Sequence, residues 1–98
     1  MKRKMTKEER DFFSAIISLS TEEECAAFFE DVCTIKEMEA ITQRLSVALM
    51  LSRGEKYQDI ESKTGASTAT ISRVNKCLNY GSGGYRTVIA KLHNKSDD

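Results

Sequence analysis

Proline and tryptophan are absent from this sequence, and histidine occurs once, at His93. Each gap closes off a reading. Without proline, no position is barred from a helix interior by a missing N–H. The many Ala, Leu, Glu, Lys and Ile residues then favour helices, and no segment reads as a strand. With one histidine close to the C-terminus, no nucleophile–base pair is visible, so no catalytic residue is expected. Metal sites want clustered Cys and His, so no metal site is expected either. Cysteine is scarce too. Cys25, Cys33 and Cys77 are odd in number and lack C-x-x-C spacing, and we read them as buried free thiols of a reducing compartment. Cys25 and Cys33 fall on one short helix, with Cα atoms ~12 Å apart, beyond disulfide reach.

Long hydrophobic runs are missing as well. The longest, Val47 to Leu51, is far short of the ~20 residues of a membrane span. The opening "MKRKM" is basic, but no apolar signal-peptide segment follows it. The expectation is a cytoplasmic protein with no membrane partner. That basic start reads as a solubilising tail, with a DNA-reaching arm as the alternative.

Net charge is also lacking, since 15 Lys and Arg balance 15 Asp and Glu. The balance hides an asymmetry. Residues 53–95 hold eight basic and three acidic residues, while residues 1–52 hold seven and ten. A basic second half beside an acidic first half fits one nucleic-acid face. Ninety-eight residues make one domain, 1–98, or one subunit of a shared one.

What is present is a set of helix starts. Thr6-x-x-Glu9, Ser20-x-x-Glu23 (or Thr21-x-x-Glu24) and Thr34-x-x-Glu37 are capping boxes, each followed by spaced apolar residues. They predict helices over 7–19, 22–33 and 35–53. Gly54 can end the third in a left-handed turn. A short helix follows over 57–64 with Ile60 inward. Gly65 breaks it, and Ser67 caps a fifth helix over 68–79 with Ile71, Val74 and Leu78 on one side. "YGSGGY" reads as a flexible joint, and a last helix over 84–94 buries Val88, Ile89 and Leu92.

The stretch "YQDIESKTGASTATISRVNKCL" has helix-turn-helix logic over about 57–79. Ile60 packs the first helix, Gly65 makes the tight turn, and Ile71 and Val74 bury the second. The outward residues near the second helix's start are small and polar: Ser67, Thr68, Thr70 and Ser72. Short side chains let that end sit deep in the major groove, with hydroxyls and backbone N–H groups facing bases or phosphates. Ala69 or the threonine methyls can touch a thymine methyl. Arg73 and Lys76 then lie toward the phosphate backbone.

"LSRGEKYQDIESKTGASTATISR" resembles the helix-turn-helix segment of the Trp-repressor family. With "NYGSGGY" after it, residues 7–93 are similar to the YerC/YecD branch of that family. The resemblance implies an all-α, six-helix fold and an intertwined homodimer. Residues 7–53 would dimerise and two helix-turn-helix heads would project outward. The four phenylalanines of the first two helices agree, carrying more apolar surface than a lone head needs. A dimer would meet palindromic double-stranded DNA with half-sites ~34 Å apart.

The resemblance also implies a co-repressor pocket. Thr34, Arg44 and Arg73 match the family's ligand-holding residues; Val74 stands for a glycine and Cys77 for a serine. The valine fills space that an indole would need, and a thiol is a weak hydrogen-bond partner. The expectation is a constitutive regulator, or one answering a small molecule other than tryptophan, with no further cofactor. Gln58 stands where the repressor has a base-reading arginine, and Gln can read adenine. The sequence therefore reads as a sequence-specific transcriptional regulator, a repressor. The alternative is a protein-interaction adaptor that keeps the motif only as fold. Against the adaptor stand Arg53, Lys56, Lys63, Arg73 and Lys76. Against an enzyme, the "GSGGY" segment lacks the Lys-Ser/Thr of a phosphate loop.

Overall fold

A computed structural model describes residues 4–96, with the backbone alone at Ser96. Most of the "MKRKM" segment and the Asp97-Asp98 tail lie outside the described residues. The described chain forms six helices: α1 (Lys7–Ile17), α2 (Glu22–Val32), α3 (Ile35–Ser52), α4 (Tyr57–Thr64), α5 (Thr68–Tyr80) and α6 (Gly84–Ser96). No described residue is in a strand. The chain divides into two compact units, residues 1–38 and 39–98.

The first unit is built from caps. Thr6 Oγ1 accepts from the Glu9 N–H while Glu9 Oε1 accepts from the Thr6 N–H, both at 3.0 Å. Of the two registers open at the second helix, the Thr21–Glu24 box forms, and Glu24 Oε1 also accepts from the Ser20 N–H at 2.7 Å. Thr34 and Glu37 repeat the exchange at the start of α3, at 3.1 and 2.8 Å. Each box satisfies two of the N–H groups that a helix start leaves open. Phe12, Phe13, Phe28 and Phe29 gather between α1 and α2, with Phe28 and Phe29 edge to face at 5.5 Å. Yet neither α1 nor α2 has a single buried residue. Ile17 is 82% exposed and Ile35 80%.

The second unit has a core. Val47 and Ala48 of α3, Ile60 of α4, Ala66 of the turn, and Ile71 and Val74 of α5 are buried together. Met50, Leu51, Tyr57, Tyr85 and Ile89 pack around them. Gly54 and Gly65 take left-handed φ angles of 80° and 74°, where a side chain costs about 1–2 kcal/mol. The turn after α4 is braced by a hydrogen-bond network that no spacing along the chain announces. The Thr64 hydroxyl donates to the Ile60 carbonyl at 2.7 Å and accepts from the Ala66 N–H at 3.1 Å. Gln43 Nε2 reaches over from α3 to the Thr64 carbonyl at 3.1 Å. At the far end of α5, a Cβ on Gly81 would run into the Cys77 carbonyl oxygen, so that position requires glycine.

Two expectations are corrected. Of the three α6 residues read as buried, only Ile89 packs on the core; Val88 and Leu92 are nearly half exposed. One stripe of α6 meets the core, through Tyr85 and Ile89, and the other two flank it. The cysteines are free, but Cys25 and Cys77 are exposed and Cys33 is partly so. Cys25 sits in a unit with no buried helix position, and Cys77 lies at the rim of a pocket described below.

Candidate nucleic-acid interface and adjoining pocket

The outward face of α5 follows from its inward one. With Ile71, Val74 and Leu78 fixed in the core, the 3.6-residue period turns Thr68, Ala69, Ser72, Arg73 and Lys76 outward, and all five are exposed. Ser67, also exposed, is the N-cap, and its Oγ accepts from the Thr70 N–H at 3.1 Å. Thr70 is partly buried, between the outward face and the core. Gln58 is exposed in the first turn of α4, on the helix before the turn. All the residues read as DNA contacts therefore lie on α4, α5 or the cap between them.

The cations of this unit are not equivalent. Glu55 takes Lys63 in a 2.8 Å ion pair and has Arg53 at 4.0 Å. The hydrogen bond from Lys63 holds the Glu55 carboxyl below its ordinary value of 4.5, and the same bond raises Lys63 above 10.5. Among the described residues, Arg73 and Lys76 have no carboxylate partner within ion-pair distance. The same is true of Arg44, Lys56 and Arg86, so what distinguishes Arg73 and Lys76 is their place on the exposed face of α5. Glu55 was not singled out from sequence; its eight-residue separation from Lys63 crosses a loop and a helix, so no periodicity signals it.

A pocket of about 250 Å³ opens beside this face, lined by Arg44 of α3, Thr70, Arg73, Val74 and Cys77 of α5, and Tyr85 of α6. Four of the five residues read as a ligand pocket thus line one cavity, Arg44 from α3 and the other three from α5. The fifth, Thr34, is engaged in the α3 capping box of the first unit. Thr70 and Tyr85 were not read as lining residues. Tyr85 closes the "NYGSGGY" segment, whose glycines indicated a joint and nothing about a wall. Val74 is only 3% exposed, so its side chain is part of the core as well as of the pocket. Two guanidinium-bearing residues line the pocket and no carboxylate does, which suits a negatively charged group. A larger, open depression of about 380 Å³ lies between α3 and α4 and includes Glu39 and Lys63. It holds none of the residues read as chemistry. No cluster of three or more His, Cys, Asp or Glu able to hold a metal exists among the described residues, and no described helix is long and apolar enough to cross a membrane.

A short helix, a left-handed glycine turn and a second helix with a buried back and a polar, basic front define a helix-turn-helix protein. The chain belongs to the Trp-repressor family: the family model described as Trp repressor protein matches residues 7–93. It is 51% identical over 86 residues to the protein YerC of Bacillus subtilis (strain 168), covering 88% of this chain and 83% of that one. Among solved structures it is similar to a TrpR-like protein from Eubacterium eligens ATCC 27750, at 52% identity and TM-score 0.87, covering 90% of this chain and 91% of that one. A Trp-repressor candidate from Staphylococcus aureus is similar at 40% identity, also with TM-score 0.87, over 91% and 89% of the two chains.

Proposed function

We propose that this protein is a homodimeric, sequence-specific transcriptional repressor that binds palindromic double-stranded DNA in the cytoplasm. The observation that carries the reading is the front of α5. Small residues, the hydroxyl-bearing Ser67, Thr68 and Thr70 with Ala69 among them, form its tip, and two unpaired cations, Arg73 and Lys76, follow on the same exposed face. Hydroxyls at a helix start can reach base edges, and the cations meet phosphate. The apolar surface left open on α1 and α2 supports a second copy as its cover.

The pocket supports a regulator that answers a small anionic molecule rather than tryptophan. Val74 occupies its wall as core, and Arg44 and Arg73 offer charge to an anion. Because Thr70 and Arg73 belong to both the pocket and the DNA-facing residues, a bound anion would bear directly on the reading head.

The test is a selection of random duplexes by the purified protein at ~0.1 M salt, followed by sequencing. The expected result is a palindrome with half-sites about one helical turn apart. Thr70→Ala is expected to relax preference at one or two base pairs, and Arg73→Ala to weaken all sequences more evenly. No enriched site, in the absence or presence of pools of small anions, would favour the adaptor reading.

A further inference from the structure

The turn places one carboxylate against the tip of the reading helix. Glu61 lies on α4, and its Oε1 accepts a hydrogen bond from Thr68 Oγ1 at 2.6 Å, across Gly65. The direction of this bond is fixed by chemistry. An ionised carboxylate has no proton to give, and a hydroxyl has only one. A short bond to a charged acceptor is also stronger than one between neutral groups. Thr68 is the first residue of α5 and exposed. With its proton held by Glu61, the hydroxyl presents only lone pairs to whatever lies in front of it. Thr70 is different. Ser67 Oγ donates to Thr70 Oγ1 at 3.1 Å, so Thr70 receives a proton and keeps its own to offer.

We propose that Glu61 is a specificity-setting positioning residue that makes Thr68 an acceptor-only contact. Thr68 then reads the exocyclic amino group of a base in the major groove. The inference rests on the DNA-binding reading above. In the major groove the donors are the N6 amino group of adenine and the N4 amino group of cytosine; guanine N7 and O6, adenine N7 and thymine O4 only accept. An acceptor-only hydroxyl gains a bond from the first group and meets lone-pair repulsion at the second. Glu61 has a second effect. Its negative charge lies at the end of α5 that would approach phosphate, so it weakens binding to any sequence while sharpening the choice among them.

The experiment starts from the duplex recovered by selection. Thr68→Val removes the hydroxyl at similar volume, and the base pair whose preference it relaxes is the one that Thr68 reads. At that pair, adenine is replaced by purine or cytosine by 2-pyrimidinone, which deletes the amino group alone. We expect about a 3- to 10-fold loss of affinity for the wild type, the range of a single hydrogen bond. The loss should be absent in Thr68→Val and reduced in Glu61→Ala. Glu61→Ala should also bind random-sequence DNA more tightly than wild type, a change that a merely structural role would not produce. Wild-type indifference to the missing amino group, or a Glu61→Ala profile identical to wild type, would overturn the assignment while leaving DNA binding intact. Failure to recover any site would overturn the DNA-binding reading and this inference with it.

Discussion

The helices of residues 4–38 start on threonines with complete capping boxes, whereas α4, in residues 39–96, starts on Lys56 with no side-chain cap. Burial runs the other way. Neither α1 nor α2 has a buried residue, while Val47, Ala48, Ile60 and Ile71 are wholly shielded. The comparison separates two sources of helix stability. A capped start is worth about 1 kcal/mol and acts whether or not the helix is covered. A short helix such as α4, at eight residues, is too short to persist alone and depends on packing. The second unit is therefore held by its own side chains. The first has well-begun helices and an aromatic cluster with no cover of its own.

The largest effect would come from testing that missing cover. If a second copy provides it, the wild-type unfolding midpoint rises with protein concentration. The double variant Phe12→Asp with Phe28→Asp should then sediment as a monomer and lose that dependence. A wild-type midpoint independent of concentration would break the comparison at its root. Next in size is Ile71→Ala in the second unit, which opens a hole in a fully buried site. It should cost about 2–5 kcal/mol in denaturant titration, at any protein concentration. Thr21→Ala in the first unit should cost only about 1 kcal/mol, read from the same titrations, since the helix loses a cap and no packing.

The smallest effect is the pH dependence of the Glu55–Lys63 pair, which is near the surface and screened by water. Glu55 is shifted down, so its contribution is present above 4.5 and is lost as pH falls through its lowered folded value. Lys63 is shifted up, so its contribution is present below 10.5 and is lost as pH rises through its raised folded value. Thermal melts of wild type and Glu55→Gln should therefore differ slightly near neutrality and converge in acid. A difference that persists at pH 2 would show that Glu55 acts through packing instead.

Much of this was legible in the chain, and the reasons are local. Thr6, Thr34, Gly54 and Gly65 announce helix boundaries because caps and left-handed turns are decided within four residues. The second capping box was ambiguous because Ser20 and Thr21 each have a glutamate three residues on; Thr21 won, with Ser20 donating its N–H to the same Glu24. The i, i+3, i+7 spacing of Ile71, Val74 and Leu78 gave the buried side of α5, and with it the exposed reading face. The error at α6 has the same origin. Val88, Ile89 and Leu92 look alike as apolar residues, and only contact with the core distinguishes Ile89 from the other two.

The sequence by itself determined six helices, where most of them begin, and which side of the reading helix faces out. These are short-range matters of capping, period and glycine. Only the tertiary structure decided that Gln43 ties α3 to the turn, that Glu55 occupies Lys63, that Tyr85 joins Arg44 and Arg73 at one pocket, and that Glu61 holds the hydroxyl of Thr68. Such contacts join side chains on different elements. Their formation depends on how packing of the core sets the angles between helices, and no spacing along the chain encodes that directly.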